Sequence, residues 1–276
     1  MAQSVQLRFD KKVAIVTGGS SGIGEGCVRV FVRNGAKVVF CGLNGDDGQK
    51  LQEELNLSGP GECFFMFCDV TKEDQIKELV STAVTKYGRI DCLINNAGWH
   101  PPSSTIDDFS AKDFRDLFEL NVMAYFLTAK YALPHLRQTR GSIINNSSLV
   151  NTLGQAGAVT YCSTKGAVSA MTRALAVDES KHGVRVNAFS PSNVWTPLWD
   201  AIVSNSEDKN TVLENGAGAQ LLGRFGTIEE AGQLCLFLAN EATFCTGIDI
   251  PLSGGAELNY GFKSQITNNP YGSWTS

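Results

Sequence analysis

Histidine, paired cysteines and long apolar runs are scarce or missing in this sequence of 276 residues. It has three histidines and eight scattered cysteines, none of them in a C-x-x-C pair, so we expect no metal site. No run approaches the ~18 apolar residues of a membrane span, and the N-terminus MAQSVQLRFDKK lacks the apolar core of a secretory signal. Without a span or a signal, we expect no membrane association. Several cysteines lie inside apolar, strand-like runs, where a reduced cysteine acts as a small hydrophobic side chain, so we expect a cytoplasmic location.

The sequence also lacks an excess of basic charge. Lys and Arg number 23 and Asp and Glu number 28, which gives a formal net charge of −5. A mildly acidic chain without a basic run has no electrostatic reason to bind nucleic acid or an anionic membrane. We therefore expect no nucleic-acid partner.

What the sequence does contain is a repeated order of elements. Helical stretches end at Gly35, Gly88 and Gly183, and a short apolar run follows each glycine. Glycine just past a helix is the usual left-handed cap, and continuous apolar runs are typical of strands covered on both faces. Seven runs are predicted strands: KKVAIVTGG, VVFC, ECFFMFCDV, DCLINN, RGSIINNSS, VRVNAFS and TGIDIPLSGG. The predicted helices span 23–34, 46–56, 73–87, 111–136, 159–181 and 227–239.

Alternating strands and helices predict the fold class. Such a chain forms an α/β domain with a Rossmann-like, doubly wound parallel sheet of about seven strands and helices on both faces. We find no linker or repeat, so we expect one domain over residues 1–276. Residues 1–9 and 264–276 are expected to be flexible.

A glycine-rich turn, TGGSSGIG at residues 17–24, follows the first predicted strand directly. Gly18, Gly22 and Gly24 have the spacing Gly-x-x-x-Gly-x-Gly. A plain tight turn explains most such clusters. Between a strand and a helix, however, the backbone can approach a pyrophosphate, and the helix N-terminus offers free N–H groups. The turn therefore predicts dinucleotide binding.

A phenol and an ammonium stand four residues apart in VTYCSTKGAV, at Tyr161 and Lys165. On a helix this spacing places both side chains on one face, although chance also produces such pairs. A cation ~4 Å from the phenol at an effective dielectric constant of ~20 would favour the phenolate by roughly 4 kcal/mol. This energy corresponds to about three pKa units, enough to bring the phenol near neutrality as a catalytic base.

Four motifs occur in one order: TGGSSGIG, NNAG at 95–98, Ser148 thirteen residues before Tyr161, and YCSTK. Together they resemble the short-chain dehydrogenase/reductase family over nearly the whole chain. The resemblance implies an NAD(P)-dependent enzyme that transfers hydride between a secondary alcohol and a nicotinamide cofactor. It implies that Tyr161 takes the alcohol proton, that Ser148 hydrogen-bonds the substrate oxygen, and that Lys165 also binds the nicotinamide ribose. Asn121 would hold a water that connects Lys165 to solvent; an ordinary buried, satisfied asparagine is the alternative.

The resemblance also implies the cofactor contacts, position by position. They are Gly18, Ser21, Gly22, Ile23, Gly24, Gly42, Asp69, Val70, Asn96, Tyr161, Lys165, Val194 and Thr196. Two positions depart from the family's pattern: Ser192 replaces the glycine of a Pro-Gly pair, and Gly42 stands where NAD-preferring relatives place an acid for the ribose hydroxyls. Because no cation replaces that acid, we expect NAD as the preferred cofactor and NADP as the weaker alternative.

The substrate is a small-molecule alcohol or ketone under the same resemblance. Runs such as WHPP, SPSNVWTPLW and GGAELNYG narrow the resemblance to members that oxidise 17β-hydroxysteroids (estradiol to estrone) or L-fucose. The implied substrate residues are His100, Ser148, Gln155, Leu198, Trp199 and Tyr260, with packing or surface exposure as the alternative for each. The apolar residues suit a steroid and the polar ones a polyol, so both stay open. The same fold also allows an NADPH-dependent carbonyl reductase or a non-catalytic binding protein.

The predicted helices 111–136 and 159–181 carry more apolar residues than one buried face needs. The segment AVSAMTRALAV is apolar or small nearly all round. Members of the resembled family pair these two helices across a dimer axis. We therefore expect a homo-oligomer, specifically a homotetramer.

Overall fold

All seven predicted strands lie in one parallel sheet. The structure is a computed structural model that describes residues 7–258. The strands are β1 Val13–Thr17, β2 Lys37–Gly42, β3 Glu62–Phe67, β4 Cys92–Asn95, β5 Ser142–Asn146, β6 Arg185–Pro191 and β7 Asp249–Leu252. Their order across the sheet is β3-β2-β1-β4-β5-β6-β7, and each neighbouring pair is parallel. The predicted fold class is confirmed.

Helices cover both faces of this sheet. They are α1 Gly22–Arg33, α2 Gly45–Ser58, α3 Glu73–Tyr87, α4 Ala111–Phe118, α5 Ala124–Thr139, α6 Val159–Glu179, α7 Pro197–Ser204, α8 Lys209–Gly218 and α9 Ile228–Asn240. Side chains of β1 alternate between the two faces. Ala14 and Val16 join a core with α1, α2 and α9, whereas Ile15 joins a second core with α3, α5 and α6. Both faces of the strand are buried, which explains its continuous apolar run.

The predicted helix ends have the expected local causes. Gly35, Gly88 and Gly183 have φ values of +85°, +77° and +73°, which an L-residue with a side chain adopts only with strain. Capping boxes begin two of the helices: Ser110 with Asp113 at α4, and Thr227 with Glu230 at α9.

The prediction of one helix over 111–136 was wrong in its middle. α4 ends at Phe118, a single π-helical turn spans Glu119–Met123, and α5 follows. Such an insertion has no signature in apolar periodicity, because the helix continues on both sides of it. Two helices, α7 and α8, were not predicted. α7 is only eight residues long, and α8, KNTVLENGAG, is rich in residues with low helix propensity.

Residues 1–9 were predicted to be flexible, but the last residues of this segment are packed against the rest of the protein. Phe9 is fully buried, with its ring centroid 5.0 Å from that of Phe31. Arg8 donates to both carboxylate oxygens of Glu241, at 2.7 and 3.0 Å. Burial of one aromatic ring and a two-bond ion pair therefore fix residues 8 and 9. The rest of this prediction, over 1–6 and 264–276, lies outside the described residues.

Neither a membrane span nor a metal cluster occurs within residues 7–258. No helix in this range has the length and apolar character needed to cross a membrane. Nor does this range contain a cluster of three or more His, Cys, Asp or Glu side chains arranged to hold a metal ion.

The connections of the sheet determine where a cleft can form. β1 lies between β2 and β4, and α1 and α3 leave the sheet on opposite faces. β2 and β3 lie on one side of β1, and β4 to β7 lie on the other, so the order in which strands are added reverses between β1 and β4. The loops after β1 and β4 lead to helices on opposite faces of the sheet. Ligands of doubly wound proteins bind in this crevice, beyond the carboxyl ends of the strands.

Candidate active site

A cleft of about 670 Å³ opens at the carboxyl ends of the strands. Fifteen of the predicted site residues line it: Gly18, Ser21, Ile23, Gly42, Asp69, Val70, Asn96, His100, Ser148, Tyr161, Lys165, Val194, Thr196, Leu198 and Trp199. Gly22, Gly24, Asn121 and Gln155 stand behind or beside this lining. Tyr260 lies outside the described residues. Most of the residues that resemblance assigned to cofactor and substrate thus meet in one cavity.

The glycine turn between β1 and α1 is shaped for close approach of a ligand to the backbone. Gly18 and Gly22 have φ values of +63° and +56°. A Cβ on Gly24 would lie 2.0 Å from the Gly18 carbonyl oxygen, and one on Gly18 would lie 2.9 Å from Ala97 Cα. Ser21 begins α1 without a side-chain cap, so the first-turn N–H groups can bind an anion at the cleft. This arrangement fits the pyrophosphate of a dinucleotide.

Asn96 braces this turn from the neighbouring strand. Its amide nitrogen donates to the carbonyl oxygens of Thr17 and Gly18, each at 3.1 Å. Its amide oxygen accepts from Asn146 Nδ2 at 2.9 Å. Asn96 therefore links the loops after β1, β4 and β5, in addition to lining the cleft.

Tyr161 and Lys165 lie on the first turns of α6, on the face toward the cleft. Lys165 Nζ is 5.7 Å from the centre of the Tyr161 ring and donates to the Asn146 carbonyl oxygen at 2.8 Å. Lys165 is 3% exposed, so its amine is held inside the protein. The helical pairing predicted from the four-residue spacing is present.

The predicted effect of Lys165 on the pKa of Tyr161 was wrong for the protein groups alone. Burial raises the pKa of Tyr161 to about 12, and a hydrogen bond with Ser148 opposes this shift. Burial also lowers the pKa of Lys165 to about 7. Both shifts have one cause, because removing water from a site disfavours every charged form within it. The prediction was based on the attraction between the two groups and left this desolvation out.

Ser148 lies where β5 leads into a short 3-10 turn, Leu149–Asn151. Its hydroxyl oxygen accepts from Val150 N at 3.4 Å, and its backbone is extended. The turn directs Ser148 towards Tyr161, with which it shares the hydrogen bond that affects the phenol. Ser148 is 8% exposed and lines the cleft.

Asn121 lies in the π-helical turn and is fully buried. Its amide oxygen accepts from Trp99 N at 2.9 Å, and its amide nitrogen donates to Trp99 O at 3.0 Å and Thr164 Oγ1 at 3.1 Å. Asn121 thus fixes the segment after the NNAG loop to α6. Its predicted water link to Lys165 stays a prediction.

The substrate side of the cleft combines polar and apolar residues. Gln155 Nε2 lies 3.1 Å from His100 Nε2, and the His100 ring lies against Tyr161. Leu198 and Trp199 come from α7, and the Trp199 ring packs edge-on against Phe225 with centroids 4.8 Å apart. His100, Leu198 and Trp199 therefore line the cleft with Ser148, and Gln155 contacts it through His100.

Twelve of the lining residues were not among the predicted site residues, including Trp99, Leu120 and Asn146. Trp99 is 53% exposed and follows the NNAG loop, Leu120 precedes Asn121, and Asn146 accepts the Lys165 hydrogen bond. Asn146 had a detectable signal, because two asparagines end the apolar run of β5 just before Ser148. Trp99 and Leu120 look like ordinary apolar positions in the sequence.

The other end of the cleft, at β2 and β3, carries little charge. Within residues 7–258, only Asp69 and Lys165 among the lining side chains have a formal charge. Asp69 Oδ1 already accepts from Thr71 N at 2.9 Å and Thr71 Oγ1 at 2.8 Å. Gly42 faces Ser20, and a Cβ on Gly42 would lie 2.3 Å from Ser20 Oγ.

Ser192, the second departure from the family's pattern, ties the loop after β6 to the loop after β7. Its hydroxyl donates to the Ser253 carbonyl oxygen at 3.0 Å, and its N–H donates to Leu252 O at 3.1 Å. Val194 and Thr196 follow on this loop and line the cleft. The extra hydroxyl therefore adds an anchor to the predicted cofactor loop.

Comparisons with known proteins agree with this geometry. Residues 18–257 match a family model described as enoyl-(acyl carrier protein) reductase. The L-fucose dehydrogenase of Bos taurus is 50% identical over 257 residues, with 93% of each chain covered. The L-fucose dehydrogenase of Mus musculus is also 50% identical, over 93% of this chain and 92% of its own. A crystal structure of levodione reductase superposes with a TM-score of 0.87 at 26% identity, covering 92% of this chain and 100% of its own.

Proposed function

The chain belongs to the short-chain dehydrogenase/reductase family, and from this premise we propose that it oxidises L-fucose with NAD as the preferred cofactor. It is an oxidoreductase that acts on secondary alcohols and uses a nicotinamide cofactor. The observation that carries the choice of substrate is the polar pair His100 and Gln155 beside Tyr161. Such a pair can hydrogen-bond the hydroxyl groups of a sugar next to the reacting carbon.

The roles of the reacting side chains are part of this proposal. The Tyr161 oxygen accepts the proton of the substrate alcohol, and the Ser148 hydroxyl holds the substrate oxygen in place. Lys165 is anchored on the Asn146 carbonyl and contributes the positive charge that favours the phenolate. The oxidised nicotinamide, when bound, supplies the hydride acceptor and a second positive charge. Lys165 is buried, so little water screens its charge from the phenolate.

We propose NAD rather than NADP as the preferred cofactor because of the charges near β2. A 2′-phosphate needs a cationic partner when it leaves water, and none of the described lining residues at this end of the cleft is cationic. The Asn44 side chain caps α2 and is bound to Asp47, with Nδ2 2.5 Å from Asp47 Oδ2. Two carboxylates, Asp46 and Asp47, therefore stand in the first turn of α2 near this end. Their negative charge also disfavours a phosphate.

A 17β-hydroxysteroid is the second candidate substrate. Trp99 and Leu198 are 53% and 47% exposed at the mouth of the cleft, and Trp199 lies beside them. These side chains offer an apolar surface that a flat ring system could cover. Estradiol would then place its hydroxyl at Tyr161 and its rings against this surface.

The test is turnover of L-fucose and estradiol, side by side, with NAD and with NADP. The proposal expects the highest kcat/KM for L-fucose with NAD. A higher kcat/KM for estradiol would replace the sugar with the steroid. If NADPH-dependent ketone reduction exceeded both oxidations, a carbonyl reductase would take the place of our proposal.

A homotetramer in the cytoplasm completes the proposal. Phe126 on α5 is 44% exposed, and Val159 and Val177 on α6 are 43% and 75% exposed. These side chains give the two helices apolar surface outside the core, as association through them requires. All eight cysteines are unpaired thiols, which supports a reducing compartment.

A further inference from the structure

A polar network lies behind the Ser148 turn, with the carboxylate of Asp249 at its centre. Asp249 is the first residue of β7. Its Oδ2 accepts from Asn151 Nδ2 at 2.6 Å and from Ser169 Oγ at 2.8 Å. Its Oδ1 accepts from Ser190 Oγ at 2.7 Å. Asp249 does not line the cleft and the reaction proposed above does not use it.

The partners of Asp249 belong to the parts of the chain that carry the reacting groups. Asn151 ends the turn that Ser148 begins, and its backbone N–H donates to the Ser148 carbonyl at 3.0 Å. Ser169 follows Tyr161 and Lys165 by eight and four residues on α6, so the three side chains share one helix face. One carboxylate thus joins the Ser148 turn to the helix face of Tyr161, beside a direct contact of Asn151 Nδ2 with Ser169 Oγ at 2.7 Å.

We propose that Asp249 is a positioning residue, which sets the distance between Ser148 and Tyr161 by holding Asn151 and Ser169 together. This inference rests on the proposed roles of Ser148 and Tyr161.

A carboxylate suits this position because it only accepts hydrogen bonds. Ser169 and Ser190 must each donate their hydroxyl hydrogen to Asp249, which fixes the direction of both hydroxyls. Ser169 Oγ is then free to accept from Ser147 Oγ at 2.7 Å, next to Ser148 in the chain. Hydrogen bonds to a charged acceptor are stronger than those between neutral groups, and Ser147, Ser169 and Ser190 are buried.

Four variants separate positioning from general stability. Asp249→Ala removes the acceptor. Asp249→Asn is the conservative variant, because its amide oxygen can still accept from Asn151 and Ser169 while its amide nitrogen donates to Ser190. Asn151→Ala removes the link from Asp249 to the turn, together with the contacts of Asn151 Nδ2 to Ser147, Ser169 and Ser190. Asp91→Ala is the matched control, since this buried carboxylate accepts from Val13 N and Arg89 Nε, each at 2.9 Å, at the amino-terminal ends of β1 and β4.

The first readout is hydrogen–deuterium exchange of the backbone amides in residues 147–152, which does not depend on turnover. We expect faster exchange in Asp249→Ala and Asn151→Ala, and exchange like the wild type in Asp249→Asn and Asp91→Ala. Unchanged protection in Asp249→Ala would overturn the proposal. So would equally fast exchange in the Asp91→Ala control, because the loss would then be general.

The second readout is kinetic. With whichever secondary alcohol the wild type oxidises, Asp249→Ala should lower kcat by about tenfold or more, because small misplacements of reacting groups are costly. Cofactor affinity, measured by quenching of tryptophan fluorescence, should stay within about twofold. Asn151→Ala in the Asp249→Ala background should cost less than Asn151→Ala does alone, because the hydrogen bond that the two residues share is already lost. A wild-type kcat in Asp249→Ala contradicts the proposal. Failure of the wild type to oxidise L-fucose or estradiol contradicts the proposed substrates instead, and the exchange readout still tests Asp249.

Discussion

The imidazole ring of His100 lies against the phenol ring of Tyr161, with centroids 4.2 Å apart and planes inclined by 46°. His100 Nδ1 is 2.6 Å from the Pro101 carbonyl oxygen. A carbonyl only accepts, so this nitrogen carries the proton in the neutral ring, and Nε2 accepts from Gln155. The ring is therefore held in one orientation beside the proposed base, with both nitrogens bound to protein groups.

Replacing His100 by phenylalanine tests the sugar assignment. His100→Phe keeps an aromatic ring beside Tyr161 and removes both ring nitrogens. We expect the KM for L-fucose to rise about tenfold, because Gln155 loses the ring nitrogen that positions it; this change corresponds to about one hydrogen bond. The KM for estradiol should change by less than about twofold. Gln155→Leu should shift the KM for L-fucose in the same direction. An equal change for both substrates would show that His100 only packs against Tyr161.

Lys165 predicts a dependence of stability on pH. Burial lowers its pKa from 10.5 to about 7 in the folded protein. Between these values the unfolded chain binds one more proton than the folded chain, so the contribution of this site to stability rises with pH. Lys165→Met removes the titration. We therefore expect its free energy of unfolding to exceed that of the wild type at about pH 7, and the difference to shrink towards about pH 10.

The measurement is urea unfolding at a fixed protein concentration over this pH range. Tyr161 has the opposite sign, since burial raises its pKa to about 12, but its contribution begins to fall only above about pH 10. Lys130→Met, at an exposed lysine, is the control. Parallel pH curves for the wild type and Lys165→Met would contradict the burial of a titrating amine.

Gly42 predicts a weak discrimination between cofactors. We expect the wild type to prefer NAD by about 1–2 kcal/mol in kcat/KM, roughly ten- to thirtyfold. Gly42→Asp should increase this preference by supplying the carboxylate for the ribose hydroxyls. Because any Cβ here meets Ser20 Oγ at 2.3 Å, Ser20 must rotate, and Gly42→Ala is the steric control. An equal increase in Gly42→Ala would remove charge as the explanation.

The exposed apolar side chains of α5 and α6 predict the mode of assembly. Light scattering of the wild type at micromolar concentration should give about four times the 29.7 kDa of one chain. Phe126→Asp and Val177→Asp should lower this mass, because each puts a charge into the proposed contact. Leu57→Asp changes an exposed apolar residue on α2 and should leave the mass unchanged. A wild-type mass of one chain would contradict the tetramer.

The elements of the fold were predictable because their signals are local. Each strand is a short apolar run, and glycine caps such as Gly88 and Gly183 separate helix from strand. The π-helical turn at Asn121 was missed because one inserted residue leaves the apolar pattern of the flanking helices intact. The packing of Phe9 was missed because a single aromatic residue gives no period, and only its contact with Phe31 explains it.

The sequence was sufficient to predict which residues form the candidate site, but not their pKa shifts or the hydrogen bonds between them. The spacing of Tyr161 and Lys165 correctly placed both on one helix face, but their pKa shifts depend on burial, which no local pattern encodes. The hydrogen bond from Lys165 to Asn146 and the network around Asp249 join residues far apart in the chain. Such contacts follow from the topology of the sheet and not from sequence spacing.

The most direct test of the proposed chemistry is the rate at which the wild type and Tyr161→Phe form reduced nicotinamide from L-fucose and NAD. Tyr125→Phe is the matched control, because it removes another buried hydroxyl whose ring lies 5.7 Å from Lys165 Nζ. We predict a loss of at least about a hundredfold in kcat for Tyr161→Phe, with melting temperature and cofactor affinity kept, and near wild-type turnover for Tyr125→Phe. Retention of more than about a tenth of kcat in Tyr161→Phe, a barrier change below ~1.4 kcal/mol, would contradict the role of Tyr161 as the base.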